Sequence, residues 1–110
     1  MEREILNEMH ERMVKSFLDA IVLVKLRERD RPMSGHDVFK LVHRKFRVRI
    51  SSGTVYSLLY SMERNGLIRG RWVGSQRKRV YTLTEKGEEK IKAILETKDK
   101  ILGLMVNLLI

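Results

Sequence analysis

Apolar residues recur three and four apart along most of this 110-residue chain, and the pattern changes only between Leu67 and Leu83. Three-four spacing lines one face of a helix, so helices must dominate the fold. The first stripe is Ile5, Leu6, Met9, Met13, Phe17, Ala20, Ile21 and Val24, which predicts one amphipathic helix from about Glu2 to Arg29. Leu18, Val22 and Leu23 widen the stripe, so its second half should be covered on more than one side. Pro32 closes the element, because the residue before a proline disfavours helix.

A second helix is expected from Ser34, whose hydroxyl can cap the first turn while Asp37 favours the positive helix end. Val38, Phe39, Leu41, Val42 and Phe46 form its buried face, and Arg47-Val48-Arg49-Ile50 reads as extended. A third helix starts at Ser51 or Ser52, both good caps, with Val55, Leu58, Leu59 and Met62 as its stripe. Asn65-Gly66 stops it, glycine supplying the left-handed conformation. A strand follows from Leu67 and Ile68 to Val73, then a tight turn at Gly74-Ser75-Gln76 and a return strand from Arg77 to Leu83. Thr84 with Glu85 opens a last long helix. Its stripe of Ile91, Ile94, Leu95, Lys98, Ile101, Leu102, Met105, Leu108 and Leu109 approaches heptad spacing.

Charge is segregated along this frame. Between Val38 and Thr84 there are eleven bases and one acid, Glu63, a net charge of +10, while the chain as a whole carries +9. The excess therefore lies in the middle, and an unmixed basic surface asks for an anionic partner. Lys40 to Arg49 and Arg69 to Arg79 hold five bases each and no acid.

Catalytic and metal chemistry find little support. There is no cysteine, which excludes a disulfide framework and a thiolate metal site and fits a cytoplasmic protein. The acids at Glu2 and Glu4 argue against a signal peptide. The longest apolar runs are too short to span a membrane. His36 and His43 could share a helix face, but lack a third ligand, so His10, His36 and His43 read as surface or capping residues. The seven glycines are scattered rather than gathered in a phosphate loop. No nucleophile is paired with a base, so the chain is not expected to be an enzyme, and no cofactor is assigned.

Three helices, a basic hairpin and a final helix spell a winged helix-turn-helix, mainly α with a small β-hairpin. The third helix would enter the major groove of double-stranded DNA with flanking elements on phosphates. The expected DNA contacts are Lys40, Arg44, Arg47, Arg49, Ser51, Ser52, Thr54, Tyr56, Ser57, Arg77, Lys78 and Arg79. Tyr56 reads equally as a phosphate donor or as packed against the wing. Tyr60 and Trp72 read as packing residues, and Glu63 as the partner of a nearby base. Two rivals remain: a non-specific architectural nucleic-acid binder, which would use the same basic surface, and a winged-helix protein-interaction module, which would instead call for a neutral or mixed-sign helix and wing.

The run from Ser51 to Ile68, SSGTVYSLLYSMERNGLI, resembles the recognition-helix signature of PadR-family regulators. Arg77 to Gly87, RKRVYTLTEKG, resembles that family's wing-to-helix signature, and Ser34-Gly35-His36-Asp37 the start of its second helix. The resemblance spans roughly residues 17 to 87. It implies a homodimeric transcriptional repressor on an inverted repeat, paired through the C-terminal helix with help from the N-terminal one. Residues 1–86 would then be the DNA-binding domain and 87–110 the dimerisation helix, with Ile91, Ile94, Leu95, Lys98, Ile101, Leu102, Met105, Leu108 and Leu109 at the contact. The family's usual proline before the glycine is Ser52 here. Trp72 is the chain's single tryptophan, so the C-terminal tryptophan that lines a drug pore in some small members is missing. No small-molecule effector is assigned.

Overall fold

The computed structural model of the chain describes every residue except Asp30 and Gln76. In chain order its elements are α1 (Glu2–Ser16), α2 (Leu18–Glu28), β1 (Met33–Ser34), α3 (Gly35–Leu41), α4 (Ser52–Arg64), β2 (Ile68–Val73), β3 (Lys78–Leu83), α5 (Glu85–Glu96) and α6 (Lys98–Leu108). The main core gathers α2, α3, α4, the sheet and the start of α5 around Leu23, Val38, Val55, Leu59, Ile68 and Ile91. A smaller cluster of Val14, Leu18, Val42 and Val48 joins α1 and α2 to the segment after α3.

The long first helix expected from Glu2 to Arg29 is broken at Phe17, with φ −106° and ψ 21°. Burial separates its halves. Within α1 only Val14 is buried, whereas α2 buries Leu18, Val22, Leu23 and Leu26. The break lets α2 follow the core while α1 projects from it. The long last helix is likewise interrupted, at Thr97, whose hydroxyl donates to the carbonyl of Ala93 at 2.7 Å. A threonine bonding back into its own helix bends the axis.

Ser34 and Asp37 close a reciprocal capping box on α3. The Asp37 amide donates to Ser34 Oγ at 3.1 Å, and the Ser34 amide donates to Asp37 Oδ2 at 2.9 Å. Burial resists ionisation of this carboxyl, but the hydrogen bonds from Ser34 outweigh it and hold its pKa below the ordinary aspartate value. Beyond α3 the chain makes one wide π-helical turn, Val42–Phe46, and leaves it through Arg47 at φ 58°. Arg47 is thus left-handed rather than extended, and no strand forms at Arg47-Val48-Arg49-Ile50. That reversal turns Val48 into the smaller core cluster.

The sheet has three antiparallel strands in the order β1-β3-β2. Its hairpin pairs Ile68 with Leu83 through to Val73 with Lys78. The third strand is an addition to the expected hairpin. Met33 and Ser34 pair with Tyr81 and Val80, a two-residue element too short to carry any periodicity of its own. Of the expected turn Gly74-Ser75-Gln76, Gln76 lies outside the described residues. The return strand begins at Lys78, because Arg77 takes a left-handed φ of 51°.

Candidate nucleic-acid interface

Ser51 is the residue that caps α4, with its hydroxyl accepting from the Thr54 amide at 3.1 Å and lying 2.8 Å from Thr54 Oγ1. Ser51 and Thr54 are therefore bound to each other, while Ser52 and Ser57 stand exposed on the same helix start. At the far end the Leu67 amide donates to Met62 O at 3.0 Å, across Gly66 at φ 76°. The Thr84 hydroxyl then donates to Gly66 O at 2.6 Å and accepts from the Gly87 amide at 3.0 Å. One side chain thereby ties the end of α4 to the start of α5 and fixes the base of the hairpin between them.

The basic residues fall into two groups. Lys40, half-buried, and the exposed Arg44 belong to α3 and the turn behind it. Arg47 and Arg49 are exposed and border a cleft with Phe46 and with Asn7 and His10 of α1. Arg69, Arg71, Arg77 and Lys78 are exposed on the hairpin. Arg79 differs: its Nη2 donates to Glu63 Oε2 at 2.7 Å, and both side chains keep only 30% of their surface. The pairing expected for Glu63 is present, and it occupies a residue expected on phosphate. The Arg79 hydrogen bond holds the Glu63 carboxyl below the ordinary glutamate value and the guanidinium above its own.

Tyr56 and Tyr60 are not buried against the wing. With Arg64 they line one wall of an open cleft of about 690 Å³, and Trp72, Arg79 and Tyr81 line the other. Tyr60 and Trp72, read from the sequence as packing residues, are 63% and 64% exposed. The cleft adds Tyr60, Arg64 and Trp72 to the surface. The signal for the helix wall was present: positions 56, 60 and 64 recur every fourth residue along one face of α4. The hairpin wall could not be placed without knowing how the hairpin docks.

The expected dimer stripe divides. Ile91 is fully buried inside its own chain and Ile94 packs against the same core, because α5 lies on α2, where Arg27 also pairs with Glu88 at 2.9 Å. Ile91 is thus a core residue and must be removed from any partner-facing set. Leu95, Leu102, Leu108 and Leu109 are exposed, as is Lys98; Ile101 and Met105 are half-buried; α6 buries no residue.

His10 Nε2 lies 3.1 Å from Phe46 O, and His43 stacks on Phe39. Among the described residues no three His, Cys, Asp or Glu groups converge to hold a metal ion. No described helix is long and apolar enough to cross a membrane.

The capped α3, an α4 started by small hydroxyl residues and a hairpin wing docked beside it define a winged helix-turn-helix protein. The signature of the transcriptional regulator PadR-like family matches residues 22–93, and the chain belongs to that family. Its members are regulators of transcription, not enzymes. A PadR family transcriptional regulator from Eggerthella lenta superposes with a TM-score of 0.75 at 23% identity, over 98% of this chain and 95% of that one. A transcriptional regulator from Clostridium thermocellum gives 0.73 at 23%, over 86% and 92%. PadR of Bacillus subtilis, solved in complex with operator DNA, gives 0.63 at 23%, over 71% of this chain and 46% of that one. No curated protein sequence matches the chain.

Proposed function

We propose that the protein is a transcriptional repressor that binds an inverted-repeat operator in double-stranded DNA as a homodimer. The observation that carries this reading is the contrast between the α4 start and its surroundings. Ser52, Thr54 and Ser57 are small, uncharged and exposed, and exposed bases flank them on the segment behind α3 and on the hairpin. Small hydroxyl residues admit a helix deep into the major groove, and the flanking cations neutralise phosphates. An architectural binder has no use for an uncharged helix face, and a protein-interaction module has none for two basic flanks.

Residues 1–86, with the start of α5 that completes their core, form the DNA-binding unit. The remainder of α5 and α6 pairs two copies. The solved complex of the Bacillus subtilis relative with operator DNA supports placing DNA on this fold. Bidentate base contacts need Arg, Asn or Gln, and the first two turns of α4 contain none. Specificity therefore rests on thymine-methyl contacts from Thr54, on DNA shape and on the fixed separation of two half-sites.

The test is a binding titration at one salt concentration, on fragments selected from the source genome and on spacing variants of them. Inserting five base pairs rotates one half-site by about half a turn. The insertion is expected to cost far more affinity than any single base change. Equal binding of parent and insertion, with one base change abolishing binding, overturns this account.

A further inference from the structure

Glu63 is the one acid between Val38 and Thr84. It stands in the last turn of α4, and its Oε2 accepts two hydrogen bonds, both from the hairpin. Arg79 Nη2 of β3 donates at 2.7 Å and the Gly70 amide of β2 at 3.1 Å. One carboxylate oxygen thereby joins the recognition helix to both strands of the wing.

The guanidinium is confined from the other sides. It lies 5.2 Å from the centre of the Trp72 ring and 5.8 Å from that of Tyr81. A Cβ on Gly70 would come within 2.7 Å of Arg79 Nε, Cζ and Nη2, so glycine leaves the space in which the guanidinium sits. Among the described residues, the hairpin's other support lies in its inner half, where Thr84 ties down its base, Ile68 enters the core and β1 pairs with Val80 and Tyr81. Among the described residues its outer half, between Trp72 and Arg79, has no third strand beside it, and a two-stranded ribbon alone holds its angle poorly.

We propose that Glu63 and Arg79 are a positioning strut that sets the separation of the wing from α4, and with it the width of the cleft that receives the DNA strand running between the two grooves. When α4 lies in the major groove and the wing at the adjacent minor groove, the intervening sugar–phosphate strand must pass between them. The cleft of about 690 Å³ walled by Tyr60 and Trp72 is where it passes. Arg79 then acts through geometry, its charge already matched, while the exposed Arg77 and Lys78 meet phosphate. This inference rests on the DNA-binding reading above.

Two variants separate a strut from a phosphate clamp. Glu63→Gln makes the basic segment one charge more positive. Counterion release alone predicts equal or tighter DNA binding. The strut predicts binding weaker by about fivefold on a selected fragment at fixed salt, the most that a partly exposed ion pair can give. Arg79→Gln is expected to weaken binding similarly while leaving the salt slope unchanged, and the double variant to lose no more than either single one. A phosphate clamp at Arg79 would lower the slope by roughly one unit instead. Hydrogen exchange of the β2–β3 amides in the free protein is the second readout. Faster exchange in Glu63→Gln, with the α2 amides unchanged, is expected of the strut. Binding by Glu63→Gln as tight as the parent's, a slope lowered by Arg79→Gln, or unchanged hairpin exchange each overturns it. Should the parent chain bind no duplex, the functional reading fails, and the exchange rates still decide whether the pair holds the wing.

Discussion

Replacing Leu95 and Leu102 together by aspartate tests how the end of the chain is covered. An eleven-residue helix such as α6 is too short to be stable alone in water. The apolar side chains along α6 and the end of α5 meet little of their own chain. Leu95 keeps 40% of its surface and Leu102 58%, together about one leucine's worth of apolar area left for a partner. Burying a whole leucine contributes roughly 1.5–3 kcal/mol. A two-fold interface counts it twice, so the two positions supply about 3–6 kcal/mol of association. Aspartate removes this and sets a carboxylate against the partner, so the loss is at least that large. At about 1.4 kcal/mol per factor of ten, the dimer weakens by roughly 10²–10⁴-fold. Sedimentation or light scattering over a concentration series reads the result directly. The parent is expected at twice 13.0 kDa and the variant at 13.0 kDa over the same range. Circular dichroism checks that the winged-helix body remains folded, and the variant should also lose tight DNA binding. A parent of 13.0 kDa at every concentration, or a variant still at twice that mass, rules out pairing through these two leucines.

Alanine at both Arg77 and Lys78 should weaken binding to all duplexes alike and flatten the salt dependence by roughly one unit of slope per lost contact; altered base preference at an unaltered slope would count against phosphate contact. At Gly87 an added Cβ would collide with the Leu67 carbonyl oxygen and lie 2.8 Å from Leu83 Cδ1. Gly87→Ala should therefore destabilise the fold by at least about 1–3 kcal/mol, lowering the melting temperature by roughly 4–8 °C per kcal/mol, and a melting point equal to the parent's would refute it. Because the Arg79 hydrogen bond depresses the Glu63 pKa, its stabilisation is present above the ordinary glutamate value of 4.5 and is lost as pH falls through the lowered one. The pair is partly exposed, so its contribution is about 1 kcal/mol at most. The melting-point gap between the parent and Glu63→Gln should close on acidification, and a gap constant with pH would contradict this.

Much of the fold is legible in the sequence because the signals are local. The Ser34 and Asp37 cap lies within one turn, Gly66 has the left-handed conformation that ends α4, and the stripe of Val55, Leu59 and Met62 sets the buried face of that helix. The two-residue β1 and the left-handed Arg47 lack such signals. One is too short to show a period, and the other follows from the pull of Val48 into a core cluster that includes Val14 and Leu18, some thirty residues earlier. The helix breaks at Phe17 and Thr97 interrupt apolar stripes that continue across them.

The composition of the interface is legible from the residues alone: a basic segment with one acid, a helix begun by hydroxyl residues and a cationic hairpin. Packing sets which of these side chains are free to act. It set Arg79 against Glu63 across sixteen residues, left Arg77 and Lys78 exposed, and opened a cleft between Tyr60 and Trp72. It also divided the last stripe, taking Ile91 into the core and leaving Leu102 to the surface. The difference is one of range. Caps, turns and helical faces are decided within a few residues of the chain. Charge pairing and burial depend on which elements come to lie against each other, and that is settled only when the core packs.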